Sequence, residues 1–168
     1  MKKIICFLLA FLIFSNACFA SPLVEEAKLH LDKPYVYAAA GPNSFDCSGF
    51  TYYCVDKIYD IQLLRSAYDQ GYDDTYLKIE TIEELEEGDL VYFNTNKSDG
   101  DLSDHAGIYI GDNQFIHASS AKRKVIISDL SEGYYNKRFS WGRRIVEEGY
   151  NESHQTTNQR KQLEACSP

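Results

Sequence analysis

Long apolar runs are absent from this sequence after residue 14, and histidine, methionine, tryptophan and proline are scarce throughout. A membrane-spanning helix needs about 20 apolar residues, so no stable membrane insertion is expected in the body of the chain. Basic residues are also few: 17 Lys and Arg stand against 25 Asp and Glu, and the net charge is −8. Because nucleic acid affinity depends on Lys and Arg at phosphates, we expect no nucleic acid partner.

Closely spaced metal ligands are missing as well, since no Cys-x-x-Cys or His-x-x-x-His spacing occurs. Structural zinc sites use such ligand pairs, so zinc is the weaker interpretation of the cysteines and histidines that are present. We therefore expect no metal at the site discussed below.

The first twenty residues have the layout of a secretory signal peptide. Lys2 and Lys3 precede an apolar run at residues 4–14, and small or polar residues lead to Ala20. This pattern predicts cleavage after Ala20 and export to the periplasm or the extracellular space. A lipid anchor on Cys18 is the alternative. The part of the chain that remains, residues 21–168, suits one domain.

Three cysteines lie beyond the predicted signal peptide: Cys47, Cys54 and Cys166. An odd number in an exported chain suggests one disulfide and one free thiol. Cys47 and Cys54 on one helix would be separated by about 10 Å of rise, too far for a bridge. A Cys54–Cys166 disulfide, which would leave Cys47 free, remains open.

The sequence Phe-Asp-Cys-Ser-Gly-Phe at residues 45–50 follows a Gly-Pro loop and precedes a helical pattern. Asp46 is a favoured N-cap residue, which places Cys47 in the first helical turn. The unpaired N–H groups and the dipole of a helix start favour negative charge, so we expect a lowered pKa for the Cys47 thiol and a nucleophilic role. The alternative is a buried structural cysteine.

Helical periodicity dominates the first half of the chain, and strand patterns dominate the second half. Helical stretches are predicted from Ser21-Pro22 to before Pro34, at residues 51–58, at 65–70 with a stop at Gly71, and as a turn at 82–85; strands are predicted at residues 90–93, 105–110, 114–118, 124–127 and 139–146. This order predicts an α+β fold in which N-terminal helices pack on an antiparallel β-meander. Residues 147–168 are predicted to form a polar C-terminal tail.

The two histidines on the predicted hairpin are the candidates for a catalytic role. His30 and His154 are predicted at the surface, whereas His105 and His117 lie on adjacent strands. Either of the hairpin histidines alone would be interpreted as structural. Together with Cys47 they supply a thiol, an imidazole and a group to orient the imidazole, which is what cysteine-dependent acyl transfer requires.

The loop between these strands decides whether the two histidines can meet. With a three-residue loop at residues 111–113, Ile110 pairs with Gln114, and His105 and His117 become diagonal neighbours on one face of the sheet. A two- or four-residue loop would place them on opposite faces. We predict the three-residue loop.

Several motifs, in this order, resemble the NlpC/P60 family of cell-wall cysteine peptidases. The matching stretches are residues 33–37, 45–50, Arg65 with 70–71, 88–93, 105–111, 115–120 and 141–145. The resemblance implies a papain-like catalytic domain over residues 21–146.

The same resemblance implies the roles of individual residues. Cys47 would be the nucleophile, His105 the base and His117 the residue that orients it. Tyr35 would help to bind the oxyanion or substrate, with Ser48 and Arg65 in the same substrate- and oxyanion-binding group.

The resemblance also implies an activity: a thiol protease that hydrolyses peptidoglycan stem peptides between D-glutamate and the diamino acid. Such an enzyme would act as a monomer and would need no cofactor. Tyr37-Ala38-Ala39 and Leu64 depart from the family pattern near the thiol, which leaves substrate preference open. An amidase or acyltransferase on the same scaffold is one alternative, and a non-catalytic wall-binding protein is another.

Overall fold

The computed structural model describes residues 21–96 and 103–145. The elements in chain order are α1 (Pro22–Lys28), α2 (Cys47–Tyr59), α3 (Ala67–Tyr72), β1 (Leu77–Ile79), a 3₁₀ turn (Ile82–Glu84), β2 (Leu90–Phe93), β3 (His105–Tyr109), β4 (Gln114–Ser119), β5 (Lys124–Asp129), α4 (Gly133–Asn136) and β6 (Phe139–Arg144). The fold is α+β, and this prediction is confirmed.

The six strands form one antiparallel sheet in the order β1-β6-β2-β3-β4-β5. Strands β2 to β5 form the predicted meander, because each is linked to the next along the chain. The last strand, β6, returns to the other side of β2 and lies between β2 and β1. The end of the domain is therefore inside the sheet rather than at its edge.

Alternation along the strands divides the core between the two faces of the sheet. One face packs against α1 and α2 through a cluster that includes Phe50, Val55, Leu90, Tyr92, Ile108 and Ile116. The other face carries a second cluster that includes Leu85, Val91, Phe93, Phe115 and Leu130, with Tyr135 of α4 packed against it. The helix that begins at Cys47 is thus fixed against the sheet along its buried side.

Three local predictions differ from the structure. Strand β1 lies in a stretch where the sequence predicts no strand, and it is formed by pairing with β6. Helix α1 ends at Lys28, well before Pro34. Helix α3 begins after the N-cap Ser66, whose side chain accepts a hydrogen bond from the Asp69 N–H, and it continues through Gly71.

The prediction that His30 lies at the surface is wrong, because its side chain is buried. Its Nε2 lies 2.9 Å from Glu26, and its ring makes edge contacts with Phe45 and Tyr53. These partners come from α1, the loop before α2 and α2 itself, so the histidine joins three segments of the core.

The longest helix in the described residues, α2, has 13 residues. None of the helices in this part of the chain has the length and apolar composition needed to cross a bilayer.

Candidate active site

Asp46 fixes the start of α2 and is the predicted N-cap. One carboxylate oxygen accepts a hydrogen bond of 2.6 Å from the Gly49 N–H. Arg65 donates to both carboxylate oxygens, at 3.1 and 2.7 Å. Because the carboxylate is bound on two sides, the first helical turn and Cys47 within it have a defined position.

Gly49 allows a neighbouring loop to pass directly over this first turn. A Cβ at Gly49 would lie 2.2 Å from the Ala39 carbonyl oxygen, a distance no real Cβ adopts. The same carbonyl accepts a hydrogen bond of 2.8 Å from the Asp46 N–H. The loop before α2 is therefore fastened to the residue that precedes Cys47.

The Cys47 thiol lies beside the start of β3. Its sulfur is 3.9 Å from the Asp104 carbonyl oxygen. The backbone N–H of Ala106, two residues further along the chain, also hydrogen-bonds to the sulfur. Cys47 is a free cysteine, half-buried at the protein surface. The helix start and the first residues of β3 thus meet at the sulfur.

The expected lowering of the Cys47 pKa is wrong. Burial raises the pKa of the thiol, and the nearby Asp46 carboxylate raises it further, while N–H groups of Ala106, Ser48 and Cys47 itself lower it. The helix-start effect is thus present but smaller than the cost of placing a thiolate in a desolvated position beside a carboxylate.

His105 and His117 are joined as the hairpin register requires. The pairs Ile108–Ile116 and Tyr109–Phe115 confirm the predicted register, and the Ile110 N–H donates to the Gln114 carbonyl at 2.9 Å. His105 Nε2 lies 2.7 Å from His117 Nδ1. The prediction that the two rings share one face of the sheet is confirmed.

The His117 ring is held on its far side by β5. Its Nε2 lies 2.9 Å from the Ser128 hydroxyl oxygen, and the Phe115 ring stacks on it with centroids 4.7 Å apart. Tyr135 of α4 covers the pair and is stacked on His105 at 6.0 Å. The sequence interpretation missed both Ser128 and Tyr135, which have no motif to identify them.

Both histidines are neutral at pH 7. Burial lowers the pKa of His105 to about 4, against a small raising effect of the Asp104 carboxylate. Burial also lowers the pKa of His117 well below its usual range, and a charge on His105 would lower it further. Because His105 is neutral, its imidazole is able to accept a proton from a neutral thiol.

The other predicted site residues lie around a cavity of about 420 Å³ that opens at the thiol. Its lining includes Tyr35, Tyr37, Cys47, Ser48 and Arg65. Burial raises the pKa of Tyr35, and the Cys47 and Asp46 charges add to this, so the phenol stays protonated. Leu64 is not part of this lining.

Gln70 is a further residue whose role the sequence did not indicate. Its side chain is fully buried, and its amide donates to the carbonyl oxygens of Ser48 and Leu64 at 3.0 and 2.7 Å. It also accepts a hydrogen bond of 2.7 Å from the Thr51 hydroxyl. Gln70 therefore ties the segment that carries Arg65 to the first turns of α2.

Several predictions concern residues outside the described ranges. The signal peptide, Cys18, His154, Cys166 and the tail at residues 147–168 lie outside the described residues. Cys54 is fully buried in the core. Within residues 21–96 and 103–145, no three His, Cys, Asp or Glu side chains form a cluster able to hold a metal ion.

The fold and the site define a papain-like α+β domain with a cysteine at a helix start and two bonded histidines on the adjoining strands. The NlpC/P60 family model matches residues 32–144, and the chain belongs to the NlpC/P60 family.

Three relatives illustrate this membership. The chain is 33% identical over 126 residues to the probable endopeptidase YafL of Escherichia coli, covering 74% of this chain and 49% of that protein. It is 32% identical over 127 residues to the gamma-D-glutamyl-L-lysine dipeptidyl-peptidase of Bacillus cereus, covering 76% and 37%. The structure of NlpC2 from Trichomonas vaginalis has a TM-score of 0.67 and 33% identity, covering 73% and 45%. The chain thus matches half or less of the length of each of these relatives.

Proposed function

We propose that this protein is a cysteine endopeptidase that hydrolyses peptidoglycan stem peptides through Cys47, His105 and His117. The observation that carries the proposal is the 2.7 Å contact between His105 and His117 on the strand that also contacts the Cys47 thiol. A thiol, a proton acceptor and a group that orients the acceptor form the set that covalent acyl transfer needs.

The hydrogen-bond chain supports a mechanism in which Nδ1 of His105 takes the proton. In this mechanism neutral His105 already carries its proton on Nε2 and donates it to Nδ1 of His117, 2.7 Å away. His117 must then carry its own proton on Nε2 and donate it to the Ser128 hydroxyl at 2.9 Å. The free lone pair of His105 is on Nδ1, which accepts the Cys47 proton as the sulfur attacks the amide carbonyl.

The remaining steps follow from this arrangement. The protonated His105 gives its proton to the leaving amine, and afterwards removes a proton from the water that releases the acyl group. The backbone N–H groups at the start of α2 and the protonated Tyr35 hydroxyl donate to the oxyanion. Loss of one such donor costs about 2.7–4 kcal/mol in the transition state. Neither a metal nor a cofactor enters these steps.

The substrate assignment rests on the relatives and on the cavity at the thiol. One relative is named as a gamma-D-glutamyl-L-lysine dipeptidyl-peptidase, which is a precedent for a bond between D-glutamate and a diamino acid. Ser48 and Arg65 line the cavity at the thiol. The Arg65 side chain is 45% exposed even though it pairs with Asp46, so it offers donors to a carboxylate or carbonyl of the substrate.

Export and domain limits are part of the same proposal. The catalytic domain corresponds to residues 21–146, after a signal peptide at residues 1–20 and before the polar tail at 147–168. Peptidoglycan lies outside the cytoplasmic membrane, so the periplasm or the extracellular space is where the enzyme acts.

The test is digestion of purified peptidoglycan by the wild type and by the Cys47→Ala variant, followed by mass analysis of the fragments. We expect cuts between D-glutamate and the diamino acid with the wild type only, while both proteins have the same thermal melting curve. Fragments cut between sugar and peptide would indicate an amidase, and joined fragments an acyltransferase. Binding of the wall without any fragments from the wild type would refute the enzymatic proposal.

A further inference from the structure

A second cavity, of about 320 Å³, opens on the other side of the catalytic residues. Its lining includes His105, Ser120, Lys122, Ser128, Tyr134 and Tyr135. It shares no lining residue with the cavity at the thiol. Asp104 lines the first cavity, where its carbonyl oxygen lies 3.9 Å from the Cys47 sulfur, and His105 lines the second. The Asp104 carboxylate accepts hydrogen bonds of 2.7 and 2.8 Å from Thr95, which belongs to the second lining.

The chemistry of amide cleavage assigns a different part of the substrate to each cavity. The acyl half becomes bonded to the Cys47 sulfur and must lie in the cavity at the thiol. The amine half receives its proton from His105, so its nitrogen must be within hydrogen-bonding reach of that ring. The cavity that contains His105 is the place where this half can be accommodated.

The two cavities also differ in charge. Asp46, Asp69 and Arg65 are charged residues in the lining of the first. The second is lined by a single charged residue, Lys122. No carboxylate of the described residues forms an ion pair with Lys122. The Asp104 carboxylate next to this lining is already bound by Thr95 and Asn96. In a chain with a net charge of −8, a cavity lined by one cation is suited to an anionic group.

The position of Lys122 and the walls of the cavity support this assignment. The Lys122 N–H donates to the Ser119 hydroxyl at 3.2 Å, which fixes the turn that carries the lysine. The Arg138 guanidinium stacks on the Tyr134 ring at 3.8 Å and adds positive charge behind this wall. Burial raises the pKa of Tyr135 to about 12, so its hydroxyl remains a neutral donor.

We propose that this second cavity binds the amine half of the scissile bond and selects a leaving residue that carries a free carboxylate, which Lys122 recognises. The inference rests on the proposed function. It adds a subsite and a preference: a stem peptide that ends in a free diamino acid is a better substrate than one in which that carboxylate is blocked.

The test compares two peptides that end in γ-D-glutamyl-L-lysine, one with a free terminal carboxylate and one with a carboxamide. We expect Lys122→Ala to raise KM for the free acid by about 3- to 10-fold and to leave the amide unchanged, as for the loss of one partly exposed charged contact. Lys122→Glu should have a larger effect in the same direction. Lys57→Ala, which removes an exposed lysine of α2, is the matched control and should change neither peptide.

A binding measurement separates failure of this inference from failure of the proposed function. L-Lysine and L-lysinamide are titrated into the Cys47→Ala protein, and amide NMR shifts are followed at Ser120, Lys122 and Tyr135. Shifts with L-lysine that weaken in L-lysinamide and in Lys122→Ala support the subsite, even if the wild type cleaves neither peptide. Equal effects of Lys122→Ala on both peptides, or no shifts at these residues, would overturn it.

Discussion

His117 and Ser128 are joined by a hydrogen bond of 2.9 Å between Nε2 and Oγ, although they lie on different strands and eleven residues apart. Ser128 stands opposite Phe115 in the β4–β5 register, and His117 stands opposite Ile126, so the two are diagonal neighbours on one face. When His117 donates from Nε2 to Ser128, as in the proposed mechanism, its Nδ1 is left to accept from His105.

Replacement of Ser128 should therefore lower the rate of the chemical step. We expect Ser128→Ala to lower kcat by about 3- to 10-fold, the effect of losing one neutral hydrogen bond. Ser128→Thr should restore the rate because it keeps the hydroxyl. Equal activity of Ser128→Ala and the wild type would show that the serine does not set the tautomer.

The two histidines should differ in how far their loss can be tolerated. His105→Ala removes the proton acceptor and should lower kcat by about 10²–10⁴-fold. His117→Asn leaves an amide that can still accept from His105, so we expect a smaller loss of about 10-fold. Steady-state kinetics on a soluble stem peptide measures both, and a His117→Asn loss as large as that of His105→Ala would contradict the assigned roles.

Stability should decrease as the pH falls below the ordinary pKa of histidine. Burial lowers the pKa of His105 from 6.5 to about 4 in the folded state, so between these values the unfolded chain binds more protons. Unfolding is then favoured as the pH falls, by on the order of 3 kcal/mol at pH 4 for this residue alone.

Urea unfolding of the wild type and of His105→Ala at pH 8, 6 and 4 measures this effect. The carboxylates contribute equally to both proteins, so the difference between them isolates His105. We expect the wild type to lose more stability than the variant over this range, and parallel curves would contradict the lowered pKa.

Gly49→Ala should destabilise the start of α2. The added Cβ would lie 2.2 Å from the Ala39 carbonyl oxygen and 2.8 Å from the Asp46 carboxylate, so the loop must move. We expect the free energy of unfolding to fall by about 2–3 kcal/mol, as for overpacking of a rigid site.

Gly133→Ala is the control for this substitution. At Gly133 φ is +82° and nothing lies within 4 Å of an added Cβ, so only the backbone cost of about 1–2 kcal/mol applies. Thermal unfolding of both variants provides the comparison, and equal losses would exclude the clash.

Local sequence patterns are sufficient to predict the start of α2 and the hairpin of β3 and β4. The Asp46 cap is a matter of neighbouring residues, and the register of His105 against His117 depends on a three-residue loop and the strict alternation of side chains. Both features lie within short stretches, so a single sequence contains the information that determines them.

Features that depend on distant segments could not be predicted in this way. Strand β1 has a weak pattern and is formed by pairing with β6, about 65 residues later. His30 is buried because aromatic rings from two other segments surround it. The direction of the Cys47 pKa depends on how much of the thiol the start of β3 covers, which the hexapeptide at residues 45–50 does not encode.

The position of β6 between β1 and β2 has a consequence for how the chain reaches its folded state. Synthesis supplies residues from the N-terminus onwards, so one edge of β2 stays open and β1 lacks its strand partner β6 until residues 139–144 are made. Long-range pairing of this kind is slow to form, and an open strand edge is prone to wrong association. Cys47, the proposed nucleophile, is made early, yet the sheet that carries His105 is complete only when residues 139–144 have emerged.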